Sequence, residues 1–314
     1  MTPRATTRDR TIPLGLIGGG SVWEPRYRAA VLALTRGRVA AVFASQPGDA
    51  EALATETGGQ LFLSLRKLIQ QPGVKALLIL ESGWSRDWAI ELAIARQMPV
   101  FVASPIDETL PQVARSLTEL EAEGAVIVPG ALLRATPASL RLRELVATKL
   151  GPIQQMGVDL TGFSGTIGPE VIGVMDWSRS LVNSTVSDVR RVVRPGGETL
   201  VMSCGRRSAS TPPVLIEIRV SFAEPGGAVL SGTRAAFPRA SIQCQHGEVE
   251  LLSETHIRWK TPTETHDESL EADRPAEQVL LDLFLRRVVG GVVPIPSWAE
   301  LDEACRLWHS VNQT

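Results

Sequence analysis

Long apolar runs, paired cysteines, a tight histidine cluster and an excess of either charge are all missing from this 314-residue chain. The longest apolar stretches, such as Val74 to Leu80 interrupted by Lys75, fall well short of the roughly 20 residues that cross a bilayer, so no membrane span is expected. A formal charge of -2 leaves no electrostatic footprint for nucleic acid or an anionic surface. Cys204, Cys244 and Cys305 are odd in number and far apart, which argues against both a disulfide framework and a CxxC metal site. His246, His256 and His266 recur every ten residues, more loosely than the ligands of a zinc site, and no metal is expected. Met1 to Arg10 carries Arg4, Arg8 and Arg10 with no cleavage site after a hydrophobic region, and reads as a short flexible arm on a cytoplasmic protein.

What is present is ordinary for a globular chain: 44% apolar and 21% charged residues, in a length that suits two domains. From Ile12 onward, short apolar runs alternate with helical stretches, the signature of a parallel sheet covered by crossover helices. The strands expected are Ile12 to Ile17, Val39 to Ala44, Val74 to Leu80, Val100 to Ala103 and Val126 to Pro129. Helices are expected at Arg26 to Arg36, Asp49 to Glu56, Leu65 to Gln70, Ser85 to Arg96 and Leu110 to Glu123. After a helix from Leu132 to Leu150, closed by Gly151 and Pro152, the pattern changes to short strands with Pro-Gly and Gly-Gly turns. These are Ile153 to Thr161, Ser187 to Val193, Val201 to Cys204, Val214 to Phe222, Val229 to Thr233, Ala240 to Gln245 and Val249 to Leu252, in antiparallel order. Helices are expected at Asp176 to Leu181, Ala276 to Val289 and Trp298 to Asn312. The fold class is therefore α/β: a doubly wound Rossmann domain over residues 1–131, then a domain with a large open sheet over 132–314, of which 292–314 is set to pack back on the first.

A strand followed by Gly18-Gly19-Gly20 and then a helix is the arrangement in which backbone N–H groups meet a pyrophosphate. In the frame G-x-G-x-x-G the third glycine is Trp23, whose side chain would crowd the approach. On these residues a tight turn without nucleotide and a dinucleotide loop are equally good readings.

Several ordered pieces carry a resemblance to the glucose-fructose oxidoreductase / inositol dehydrogenase (Gfo/Idh/MocA) family over nearly the whole chain. Ile12 to Gly20 (IPLGLIGGG) looks like its first strand and loop, and Val42 to Ala54 like its second strand and following helix. Ala93 to Pro105 is similar to the stretch that ends in the family's Glu-Lys-Pro motif, and Arg134 to Pro137 (RATP) to the Arg-x-x-Pro opening its linking helix. Leu150 to Ile153 resembles the glycine turn into the second domain, and Val292 to Ser310 the closing segment. The resemblance implies a nicotinamide cofactor held by Gly18, Gly19, Gly20, Ser21, Val22, Trp23, Ala44, Ser45, Gln46, Glu81, Ser104 and Pro105. It also implies a homodimer or higher oligomer formed through the second sheet, since an uncovered apolar sheet face would be an aggregation liability.

The departures matter as much. The acid that the family carries at the end of the second strand is Ala44, and the Ala-Ser-Arg run of members preferring NADP reads Ala44-Ser45-Gln46. NADP is the cofactor this run favours if a cofactor binds. The motif lysine, which is implied to protonate the substrate oxygen, is Ser104, lacking both the charge and the reach. In the family's Asp-x-Gly-x-His-x-x-Asp stretch, here Pro169 to Asp176, the first acid and the histidine are Pro169 and Gly173, and only Asp176 survives. The Thr-Pro and histidine after the fourth strand are Glu81-Ser82 and Arg86. Remaining candidates for proton transfer are Ser104, Asp176 and Asp107, with Glu108, Glu81 and Arg86 nearby; Asp107 and Glu108 equally suit a helix N-terminus, and Asp176 a cap.

Three readings follow. The first is a noncatalytic or repurposed member that binds a small molecule. The second is an active NADP-dependent oxidoreductase on a sugar-like or polyol substrate with a shifted acid/base. The third is a structural partner of an active homologue. Trp23, Trp84, Trp88 and Trp177 fall near the strand ends and either fill the pocket or belong to the core.

Overall fold

The computed structural model describes residues 11–19, 22–103, 111–163, 167–205, 213–222 and 237–312. They form two compact units, Met1–Gly130 with Glu277–Ala299, and Ala131–Ala276 with Glu300–Thr314. The segment that joins the first unit is thus 277–299, whereas the chain from residue 300 onward stays with the second.

The first unit is a six-stranded parallel sheet made of β1 (Ile12–Ile17), β2 (Gly37–Phe43), β3 (Gln60–Leu61), β4 (Ala76–Ile79), β5 (Val100–Val102) and β6 (Ile127–Pro129). Their order is β3-β2-β1-β4-β5-β6, so the chain winds one way from β1 to β3 and the other way from β4 to β6. Alternation along each strand divides its side chains between two faces. On one face Ile17, Ala41, Leu77, Ile79, Val100 and Val102 meet Leu65 and Leu68 of α3 (Leu65–Gln70), Ala89, Ile90 and Ala93 of α4 (Trp84–Ile94) and Leu117 of α5 (Pro111–Ala122). On the other face Phe101 packs edge-on against Tyr27, with ring centres 5.9 Å apart, and against Phe284 of the late helix Ala276–Val288. Strand β4 is completely buried on both faces, which is why it reads as a continuous apolar run.

The helix expected at Arg26 to Arg36 is shorter and irregular: a π-helical stretch Trp23–Tyr27, then α1 (Arg28–Leu32). Pro25 removes a backbone donor there, and the Tyr27 N–H reaches back to the Val22 carbonyl at 3.2 Å. By contrast α2 (Pro47–Thr57) has proline in its first turn and closes on Gly58 at φ 70°, where a side chain would be strained.

In the second unit the expected helix from Leu132 to Leu150 divides into a 3-10 turn Leu132–Ala135, α6 (Pro137–Leu145) and a π-helical end Val146–Leu150. Thr136 caps α6 by accepting the Ser139 N–H at 3.2 Å. The sheet consists of β7 (Ile153–Phe163), β8 (Val186–Arg194), β9 (Gly197–Cys204), β10 (Val214–Phe222), β11 (Arg239–Cys244), β12 (Gly247–Ser253), β13 (His256–Lys260) and β14 (Thr265–Ser269). Its order is β14-β13-β12-β11-β7-β10-β9-β8, antiparallel except for the central β7–β10 pair, which is parallel. The expected strand Val229 to Thr233 lies outside the described residues, whereas β13 and β14 were not expected at all. The late helix Ala276–Val288 is α8, and α9 spans Trp298–Asn312. Helix α7 (Gly168–Val182) is much longer than the expected Asp176 to Leu181, so Asp176 lies in its middle rather than at its cap.

One face of this sheet is apolar and buried: Met156, Val158, Leu200, Met202, Ile216, Ile218, Ile242 and Leu251 among others. The opposite face carries charge. Arg219 grips Asp159 on the neighbouring strand at 2.6 and 3.1 Å, Arg258 pairs with Asp267 and Glu250, and Lys260 pairs with Glu248. These cross-strand pairs satisfy the charges of that face, on which Val192 and Leu215 are also exposed, at 43% and 36%. His256 joins the same pattern by pairing with Asp267, whereas His266, registered on the other face, stacks on the buried Trp259 with centres 4.3 Å apart. Among the described residues no helix is long and apolar enough to cross a membrane.

All three cysteines are buried and none is in a disulfide, and burial pushes the thiols of Cys204 and Cys244 up to about 11. Because the thiolate is the reactive form, native protein should resist Ellman's reagent at pH 7 to 8 and yield three thiols only after denaturation. Fast labelling of a folded sample, with its circular dichroism intact, would contradict this placement.

Candidate functional site

Both β2 and β4 pair with β1, and their connections leave in opposite directions, so the carboxyl ends of these three strands form the crevice where doubly wound sheets take ligands. Gly18 and Gly19 stand at its base with φ of 155° and 156°, a region that L side chains rarely adopt. Each glycine also admits a close neighbour. A Cβ on Gly18 would lie 2.7 Å from the Leu80 Cβ, and one on Gly19 would lie 2.9 Å from the Asp49 Cβ of α2. The Gly18 N–H is donated to the Phe43 carbonyl at 3.0 Å, which ties the turn to the end of β2. Gly20, Ser21, Ser104, Pro105, Asp107 and Glu108 lie outside the described residues.

Beyond β2, Ala44 is buried whereas Ser45 and Gln46 are exposed. Ser45 is engaged from the other side of β1. Its N–H and its hydroxyl both donate to Oε1 of Glu81, at 2.8 and 3.0 Å, and Ser85 of α4 donates to Oε2 at 2.6 Å. Glu81, two residues beyond the end of β4, is 5% exposed. Its carboxylate therefore crosses the end of β1 and sits at the end of β2, held by neutral donors and, among the described residues, in no ion pair. This connection between residues 36 apart has no periodicity, and sequence reasoning reached both residues only through the family resemblance.

The tryptophans separate cleanly. Trp23 and Trp177 are buried core, whereas Trp84 is 62% exposed and lies 6.2 Å, ring centre to ring centre, from Trp88 one turn along α4. Arg86, at the position where the resemblance places a histidine, is fully buried and donates from Nε to Asp87 at 2.8 Å.

Asp176 belongs to the second unit and is 2% exposed. Arg134, from the turn preceding α6, holds it with two parallel hydrogen bonds, Nε to Oδ2 at 2.7 Å and Nη2 to Oδ1, and also reaches Glu300 of α9. Burial pushes the Asp176 carboxyl up while the facing guanidinium pulls it down. A carboxylate bound at both oxygens by arginine is a structural clamp. Gly173, one turn earlier on α7, faces open space.

Removing one partner of such a buried pair strands the other. Asp176→Asn should destabilise the protein by about 3–5 kcal/mol, while Arg134→Met with Asp176→Leu should recover most of that loss. Urea unfolding measures both, and a neutral Asp176→Asn would show that the pair does not hold the fold.

With this geometry in place the relatives are informative. Residues 12–131 match a family model described as the GFO_IDH_MocA oxidoreductase family, NAD-binding Rossmann fold. An inositol 2-dehydrogenase from Acidothermus cellulolyticus is 26% identical over 267 residues, 79% of this chain and 75% of that protein. Two solved structures share the fold from end to end at 14% identity and a TM-score of 0.76. One is a dehydrogenase (MviM) from Clostridium difficile, covering 96% of this chain and 99% of that one. The other is an oxidoreductase from Agrobacterium radiobacter in complex with NAD+, L-tartaric acid and magnesium, covering 96% and 95%. Residues 12–131 thus match the Rossmann domain of the Gfo/Idh/MocA oxidoreductase family, and the chain as a whole shares its two-domain fold with these solved structures.

Proposed function

We propose that this chain is a repurposed member of the Gfo/Idh/MocA oxidoreductase family, one that binds a nicotinamide dinucleotide and a small polar ligand without the lysine- and histidine-assisted hydride transfer that the resemblance implies. The observation that carries this is where its lysines and histidines lie. The sequence has four of each. In the first unit the lysines are Lys67, exposed on α3, and Lys75, whose N–H bonds Pro13 at the amino end of β4, the wrong end of the strand. Of the other two, Lys149 pairs with Glu264 and lies over Trp259, and Lys260 pairs with Glu248. None of the four histidines lies on α7, where the resemblance places the catalytic one: His256 and His266 are on β13 and β14, His246 is in the β11–β12 turn and His309 is near the end of α9.

The residues present suit a dinucleotide at one level only. Gly18 and Gly19 hold the backbone conformation that a close-approaching ligand needs, and Ser45 and Glu81 offer polar groups at the end of β2. When bound, the nicotinamide would supply a hydride donor or acceptor. What the protein must add is a group for the alcohol proton, worth about 10²- to 10⁴-fold in rate, and Ser104 and a clamped Asp176 do not provide it. The alternative, an active NADP-dependent oxidoreductase with a relocated acid/base, rests on Ala44-Ser45 and requires a proton donor not found at these positions.

The expected result is therefore binding without turnover. NADH should raise its fluorescence on titration with the purified protein, and no reduction or oxidation should be seen with inositols, other polyols, sugars or keto sugars and either cofactor. Turnover above background with any of them would refute the loss of chemistry. Absence of binding at millimolar NADH and NADPH would refute the dinucleotide.

A further inference from the structure

The end of β2 is where a Rossmann unit reads the adenosine ribose: an acid there accepts the 2′- and 3′-hydroxyls, and a cation there accepts a 2′-phosphate. On its own strand this chain has neither, only Ala44, Ser45 and Gln46. A carboxylate nevertheless stands at that place, brought in from β4 across the end of β1: Glu81, bonded to Ser45 at 2.8 and 3.0 Å. We infer that Glu81 is the ribose-recognising acid of this protein and sets its preference for NAD(H) over NADP(H). The inference rests on the dinucleotide reading above and names the group that decides between its two forms.

Three features of the site support it. First, the carboxylate is fixed: both oxygens are engaged, and Ser85 anchors the second at 2.6 Å from the first turn of α4. A carboxylate offers about four acceptor positions. Three are taken, so one remains, and the Ser45 hydroxyl keeps lone pairs beside it; together they match a diol. Second, among the described residues no cation is paired with it. The arginine position of the NADP pattern is the neutral Gln46, and Arg28, on α1, is committed to Glu56 and Glu24. Third, a second acid stands close by, since the Asp49 carboxylate lies 3.5 Å from where a Gly19 Cβ would sit. A 2′-phosphate of charge about -2 placed here meets acids on two sides. This overrides the NADP preference that Ala44-Ser45 alone suggests, because both Ser45 donors that would receive the phosphate are already given to Glu81.

The competing explanation is purely architectural: Glu81 would only staple β2 to α4. Binding of NADH and NADPH to wild-type protein, followed by nicotinamide fluorescence and by calorimetry, separates the two. NADH should bind on the order of 100-fold more tightly than NADPH, and AMP should compete better than 2′-AMP. Glu81→Gln keeps the volume and one acceptor. It should weaken NADH and strengthen NADPH until they lie within about tenfold, with a thermal midpoint near that of wild type. Gln46→Arg, on the exposed surface, leaves Glu81 in place and should raise NADPH affinity without loss of NADH. Equal or tighter NADPH binding by the wild type overturns the inference. So does selectivity that survives Glu81→Gln, and either result leaves the dinucleotide reading standing. Failure of both cofactors to bind at millimolar concentration removes that reading and this one with it.

Discussion

The reversal of strand order at β1 is the constraint on which the rest of this molecule depends. Because β2 and β4 flank one strand and continue in opposite directions, three chain ends converge with no crossover helix to cover them. The convergence requires glycine twice over. Leu80 and Asp49 press so close to Gly18 and Gly19 that a methyl group at either would collide, and both glycines hold positive φ. The same crowding brings the residue after Leu80 within reach of β2. A glutamate there meets the Ser45 N–H at 2.8 Å and the Ser45 hydroxyl at 3.0 Å, across the end of β1.

Much of the fold was legible in the sequence, and for identifiable reasons. Strands β1, β4 and β5 are buried on both faces, so they read as unbroken apolar runs. Sheet residues in the second unit alternate cleanly because one face is apolar and the other charged. Where the reading failed, the local signal was weak or misleading. β13 alternates, with Ile257 and Trp259 buried between His256, Arg258 and Lys260, but is only five residues long, and the edge strand β14 has no buried position to mark a period. Residues 168–175 hide the first half of α7 behind two glycines and a proline, although proline in a first turn is an acceptable helix start. The π-helical stretch after the glycine turn has no periodic signature of its own.

The site was less legible than the fold. Gly18 and Gly19 announce themselves by composition and strand context, and Ala44 to Gln46 by position after β2. The bond between Ser45 and Glu81 does not, since nothing in either neighbourhood says that a side chain on one strand serves the end of another. Asp176 shows the opposite error. A surviving acid of a family motif looked like a catalytic remnant, yet the residue that explains it, Arg134, stands 42 positions earlier and was known only as part of another motif.

These two buried acids show why burial alone does not mark function. Asp176 is 2% exposed and Glu81 is 5%, so each has lost most of its hydration. Asp176 regains it from a guanidinium that meets both oxygens, and the charges cancel, leaving little field for anything else to feel. Glu81 regains it from one backbone N–H and two hydroxyls, which stabilise the carboxylate by dipoles and leave its net charge in place. A group placed next to the first meets a neutral pair. A group placed next to the second meets an uncancelled acid in a water-poor crevice, where electrostatic terms are larger than at an open surface. That difference, rather than the depth of either residue, separates a clamp that holds a fold from a carboxylate able to choose between two ligands that differ by one phosphate.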